Sequence, residues 1–198
     1  GLQIAEALGE MGAMLALTAR KADELAQAKE HLERMHIQVF TLPCDHSKAA
    51  SIGPVIEQIM KHYGQVDVLV NNAGTTWGAP AEDHPAEAWR KVMSLNVDAL
   101  FLLSQQIGKR CMIPRRSGKI VNIASVAGLA GNPPGMQTLA YNTSKAAALN
   151  FTLWRLVVRP VSRLCAVADK VSLGDMDAPE FVASGRDDLI RRTSENGF

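Results

Sequence analysis

"VDVLVNNAG", residues 66–74, is an apolar run of strand length that stops abruptly in two asparagines, a small residue and a glycine. A run of this length and polarity suits a strand buried on both faces, and Asn and Gly turn the chain at its end. Its neighbours extend the pattern in both directions. Residues 48–63 have helical spacing closed by Gly64, and residues 86–112 form a long helical pattern. Farther out, "AMLALTAR", "IQVFTLPCD" and "GKIVNIAS" read as further strands. Ile4, Ala7, Leu8 and Met11 mark a first helix that Gly12 would stop, and Leu25, Ala28 and Leu32 mark another within 21–35.

Apolar strands that alternate with amphipathic helices imply a parallel sheet covered on both faces. Right-handed crossovers then predict a Rossmann-like, doubly wound α/β domain over residues 1–152. The pattern stops there. Residues 153–198 form a divergent tail in which Pro160 interrupts the first apolar run and charges of both signs follow.

With 198 residues the chain can bury a sizeable core, and a formal net charge of +1 gives no reason to expect nucleic acid or an anionic membrane as a partner. Cys44, Cys111 and Cys165 are widely spaced, which argues against a disulfide framework or a metal site. No apolar run reaches the roughly 18 residues of a membrane span, so a soluble cytoplasmic protein is expected. The chain opens on Gly1 inside a helical pattern already under way, and this leads us to expect that something upstream is missing.

Ligands of open α/β sheets bind beyond the carboxyl ends of the strands. Asp45, the stretch Asn71 to Gly74 and Ser125 all follow strands at such ends. Taken singly, each has a plainer reading as a turn or loop residue. Arg20 ends "LALTAR", where a dinucleotide fold presents the adenosine ribose. An acid there would bond the 2′-hydroxyl, whereas an arginine accommodates a 2′-phosphate. Neither Thr18 nor Ala19 is acidic, so NADP is expected in preference to NAD. "YNTSK", residues 141–145, places Tyr141 and Lys145 four apart on one helix face. An ammonium one turn from a phenol stabilises the phenolate. The five histidines (His31, His36, His46, His62 and His84) are scattered, and no chemistry is assigned to them.

"NNAG", "LN" at Leu95 and Asn96, "NIAS" ending in Ser125, and "YNTSK" occur in the order and approximate spacing of the short-chain dehydrogenase/reductase family, which residues 1–152 resemble. The stretch "NIASVAGLAGNPPGMQTLAYNTSK" resembles its gluconate 5-dehydrogenase-like branch. The resemblance implies a nicotinamide cofactor, interconversion of a small-molecule alcohol and ketone, and a catalytic set of Asn96, Ser125, Tyr141 and Lys145. Tyr141 would be the acid/base, Lys145 its partner and a ribose anchor, Ser125 a hydrogen bond to the carbonyl, and Asn96 the holder of a water. Cofactor contacts would come from Gly1, Arg20, Asp45, Asn71, Ala73, Gly74, Tyr141 and Lys145. A homo-oligomer joined through the long helix and the helix of Tyr141 is also implied.

The chain departs from the family twice. Only Gly1 stands for the last glycine of the T-G-x-x-x-G-x-G loop, and the strand before that loop is missing. Its absence predicts two sets of strands about two ladder spacings apart, roughly 9.6 Å, with unpaired edges. After Thr152 no V-N-x-x-x-P-G-like stretch supports the nicotinamide. Weak NADPH binding, marginal stability and a loosely packed tail follow as expectations. The competing reading is a catalytically silent remnant that at most dimerises with intact relatives.

Overall fold

The computed structural model describes residues 1–131, 133 and 135–153. The expectations for the tail fall on residues outside this set. The chain runs α1 (Leu2–Glu10), β1 (Leu15–Ala19), α2 (Ala22–Arg34), β2 (Val39–Pro43), α3 (Ala49–Tyr63) and β3 (Val68–Asn71). It continues through α4 (Ala86–Met93), α5 (Ala99–Ile107), α6 (Ile113–Arg115), β4 (Lys119–Asn122) and α7 (Leu139–Leu153).

Local chemistry sets the helix ends. Asp23 and Glu24 lie in the first turn of α2 and Arg34 in its last, each sign facing the favourable end of the helix dipole. Leu25 and Leu32 bury the inner stripe of that helix. Gly64 closes α3 in the left-handed region at φ 76°, and its N–H donates to Met60 O at 2.8 Å. The long helix expected over 86–112 is not uniform. Two π-helical segments, Ser94–Asp98 and Gly108–Met112, interrupt it on either side of α5. Hydrophobic spacing cannot show such wider turns, because each adds only one residue to the period.

Among the described residues all strand pairing is parallel, as the apolar runs imply. Leu15 stands against Val39 in one pair and Val68 against Lys119 in the other. The pairs do not join: β1–β2 and β3–β4 are separate two-stranded sheets. The core is divided in the same way. Ala5, Leu15, Leu32, Ile37 and Val39 form one cluster under α1 and α2. Ile52, Val55, Ile56, Ala99, Ile107 and Met112 form another under α3 and α5. Between the sheets runs a cavity of about 1030 Å³, bounded by β1 and β3 and lined by Leu8, Leu17, Ile56 and Leu103. The predicted gap is present as a cleft. Among the described residues no helix is long and apolar enough to cross a membrane.

Candidate active site

The first π-helical segment puts Asn96 where both ends of its amide can be used. Its Oδ1 accepts from Thr75 N–H at 2.8 Å, and its Nδ2 donates to Thr75 O at 2.9 Å and to Ser144 Oγ at 2.8 Å. Asn96 is only 4% exposed. It therefore ties the turn after β3 to α7, a job for its side chain distinct from the water-holding role expected of it. Extra-wide turns of this kind recur at functional sites, where they redirect a side chain.

Ser144 is fully buried and donates to Tyr141 O at 2.7 Å. Tyr141 and Lys145 lie on either side of it in α7. Lys145 is 7% exposed, and its ammonium donates to Ile123 O at the end of β4. Its Nζ stands 5.7 Å from the centroid of the half-buried Tyr141 ring. The helical spacing thus produces the expected pair, with the ammonium anchored by the sheet. Ser125, half-buried, opens a short 3-10 turn (Val126–Gly128), and its Oγ accepts from Ala127 N–H at 3.2 Å. Gly128 brings this turn against α7. A Cβ there would lie 2.6 Å from Ala146 N and from Lys145 C, so only glycine allows the approach. Asn96, Ser125, Tyr141 and Lys145 are gathered by these contacts around the start of α7.

The expected cofactor residues separate into two groups. Gly1, Arg20, Asn71, Ala73, Gly74 and Lys145 all line the cleft. Asp45 does not. Its carboxylate accepts from Ser47 N–H at 3.1 Å and Ser47 Oγ at 2.7 Å, and the serine hydroxyl holds it below the usual carboxylate range. Asn71 is 8% exposed and serves the interior, donating through Nδ2 to Ser104 Oγ and Asn122 Oδ1 at 3.0 and 2.8 Å. Its Oδ1 is buried without a hydrogen-bond partner.

Three polar residues escaped the sequence reading. Ser144 and Thr75 are Asn96 partners, and His46 is a buried residue whose Nε2 lies 2.8 Å from Thr18 Oγ1. Burial pushes the His46 imidazole below its ordinary pKa, against the opposing pull of Asp45. Among these, Ser144 had the clearest signal, since it lies inside "YNTSK".

The residues present suit a dinucleotide lying across the mouth of the cleft. α1 begins at Gly1 with no side-chain cap and no acid in its first turn, which leaves first-turn N–H groups for an anion. A Cβ at Gly1 would lie 3.1 Å from Asn72 Nδ2, and one at Gly74 3.5 Å from Asn96 Oδ1. Arg20 is exposed at the end of β1.

A parallel α/β scaffold thus carries a phenol, an ammonium and the uncapped start of a helix. The family model described as short chain dehydrogenase matches residues 1–154, and the chain belongs to that family. A rhamnolipid-biosynthesis 3-oxoacyl-[acyl-carrier-protein] reductase of Pseudomonas aeruginosa is 36% identical over 150 residues, covering 74% of this chain and 57% of that protein. Gluconate 5-dehydrogenase of Gluconobacter oxydans is 34% identical over 152 residues, 77% of this chain and 58% of the relative. The chain therefore spans under two thirds of the length of these relatives. A Streptomyces coelicolor protein bearing the name of a ketoacyl reductase aligns along the whole chain, tail included, at 32% identity and over 75% of its own length. Among solved structures, an actinorhodin polyketide ketoreductase with NADPH superposes with a TM-score of 0.73 at 31% identity, covering 77% of this chain and 57% of that one.

Proposed function

We propose that the chain is the catalytic portion of an NADP(H)-dependent oxidoreductase that interconverts a small-molecule alcohol and ketone. The observation that carries this reading is the Tyr141–Lys145 pair, a half-buried phenol with an anchored ammonium 5.7 Å from its ring centroid. The bound nicotinamide would supply or accept the hydride. Gly1, Ala73, Gly74 and Lys145 would hold it along the cleft mouth, and Arg20 would meet its 2′-phosphate.

This chain's own residues would manage the proton and the oxygen. Reduction builds negative charge on the carbonyl oxygen, and Tyr141 would donate its hydroxyl proton there. The Lys145 ammonium would stabilise the phenolate left behind, while Ser125 Oγ would donate a hydrogen bond to the developing alkoxide. Ser125 Oγ accepts from Ala127 N–H, which leaves its own proton available. Asn96 would act by holding Thr75 and Ser144 in place.

The relatives named for 3-oxoacyl and gluconate chemistry support polar ketones and secondary alcohols as the substrate class. We also propose a cytoplasmic homo-oligomer. Phe101 on α5 is 44% exposed and meets Phe151 on α7 edge-on at 6.2 Å, an apolar patch shared by two helices. The test of the catalytic reading is NADPH-dependent ketone reduction by the protein and by Tyr141→Phe. Turnover should fall at least a thousandfold in the variant with NADPH affinity within about twofold; near-normal turnover would remove Tyr141 from the acid/base role.

A further inference from the structure

We infer that Trp77 sets the substrate class: the ketone taken at Ser125 and Tyr141 carries an aliphatic arm that lies against the indole, and polyol acids are refused. This rests on the proposed ketone reduction and names the kind of ketone.

The place of the indole is fixed from both sides. Trp77 belongs to the loop between β3 and α4. Before it in the loop, Asn96 holds both backbone groups of Thr75 and reaches on to Ser144 of α7. After it, Ala79 N–H donates to Gln137 O at 2.9 Å, and a Cβ at Gly78 would lie 3.6 Å from that same oxygen. Gln137 leads directly into α7, whose first turn carries Tyr141. The loop is thus tied to the helix of Tyr141 on each side of Trp77. Lys91 Nζ of α4 stands over the indole, 5.9 Å from its centroid, a contact that orients the ring. With that contact made, Trp77 still exposes 41% of its surface.

The surroundings are apolar. Val126, next in the chain to Ser125, is 83% exposed, and Leu129 and Met136 on the same segment are 72% and 59% exposed. One exposed apolar side chain needs no explanation; several on two segments bonded together beside one site do. The polar side chains nearby bond within the protein. Asn96 spends its amide on Thr75 and Ser144, Ser144 Oγ donates to Tyr141 O, and Thr143 Oγ1 donates to Leu139 O. Thr138 Oγ1 donates to Asn142 Oδ1. Charge is absent from both segments: residues 68–81 and 121–144 contain no Asp, Glu, Lys, Arg or His, in a chain that is 21% charged. A sugar acid needs a cation for its carboxylate and a partner for each hydroxyl taken from water. Lys145 is anchored on Ile123 O, and Lys91 faces the indole. An aliphatic arm needs neither kind of partner and gains by leaving water for the ring.

The test titrates the 198-residue protein with ketones in the presence of NADP+, so that no turnover occurs. Affinity is read by saturation-transfer NMR, and the indole N–H resonances of Trp77 and Trp89 report contact. We expect ethyl 3-oxooctanoate to bind at least tenfold more tightly than ethyl 3-oxobutanoate, whose alkyl arm is shorter, and than 5-keto-D-gluconate. The longer ester should move the Trp77 resonance and leave that of Trp89 nearly still. Trp77→Ala should bring the two esters within about threefold, and Trp77→Phe, which keeps a ring, should restore most of the difference. Tyr141→Phe should keep the order, since its hydroxyl does not touch the arm. If that order holds while NADPH-dependent reduction fails, the catalytic reading falls and this one stands; reduction without the preference does the reverse. Equal affinity for the esters, tighter binding of 5-keto-D-gluconate, or no saturable binding of any ketone would overturn the inference. So would an unchanged order in a folded Trp77→Ala protein. A Trp77 shift no larger than that of Trp89 would overturn it whether or not that variant folds.

Discussion

Asn96 grips Thr75 by both of its backbone groups, accepting from the N–H at 2.8 Å and donating to the carbonyl at 2.9 Å. A side-chain amide is the one common group with a donor and an acceptor spaced for this pairing. The grip holds the turn after β3 against the helix that carries Tyr141, because the same amide also reaches Ser144.

Asn96→Ala should therefore destabilise the fold by about 2–4 kcal/mol, since it removes three hydrogen bonds at a 4% exposed site and leaves buried groups unpaired. Urea denaturation measures this directly. A loss under about 1 kcal/mol would mean that the Thr75 turn is held by other contacts.

Gly128→Ala tests the contact between the Ser125 turn and α7. Its Cβ would fall 2.6 Å from backbone atoms of Lys145 and Ala146, so the turn must move. We expect a stability loss of about 1–3 kcal/mol and a tenfold or greater loss in ketone reduction as Ser125 shifts from Tyr141. Gly131→Ala, where nothing lies within 4 Å of the new Cβ, serves as the control and should be near neutral. Equal effects in the two variants would remove the steric explanation.

Arg20→Ala should weaken NADPH about tenfold to a hundredfold while leaving NADH nearly unchanged, because a charge-assisted contact to phosphate is worth about 1.5–3 kcal/mol. Fluorescence titration with each cofactor reads the ratio. An equal loss for both would place Arg20 away from the 2′-phosphate.

His46 should make stability fall on mild acidification. Burial holds its folded pKa below the ordinary 6.5, so in acid the unfolded chain binds a proton that the folded chain resists. Stability is full above the ordinary value and declines as pH falls through it toward the lower folded value. Thermal midpoints between pH 7.5 and 5 should show this slope, and His46→Gln should flatten it. Asp45, also lowered, acts only below its ordinary 3.8 and cannot account for a slope in that window. An unchanged slope in His46→Gln would assign the effect to other groups.

What the sequence by itself determined is what depends on local period. The strands, the helices and the parallel sense follow from apolar spacing, and four positions along a helix bring Tyr141 and Lys145 together. Tertiary structure alone decided the partners across long separations. Asn96 meets Thr75 21 residues away and Ser144 48 away, and Thr18 meets His46 across 28. It also decided that Asp45 turns to Ser47 and not to the cleft, and that Asn71 serves Ser104 and Asn122. Nor could spacing say whether β1 and β3 would close the gap. β1 and β2 lie with α1 and α2 around one apolar cluster, and α3 and α5 form another. Hydrogen bonds and packing are satisfied by whatever the fold brings within reach, and one-dimensional order carries no record of that distance.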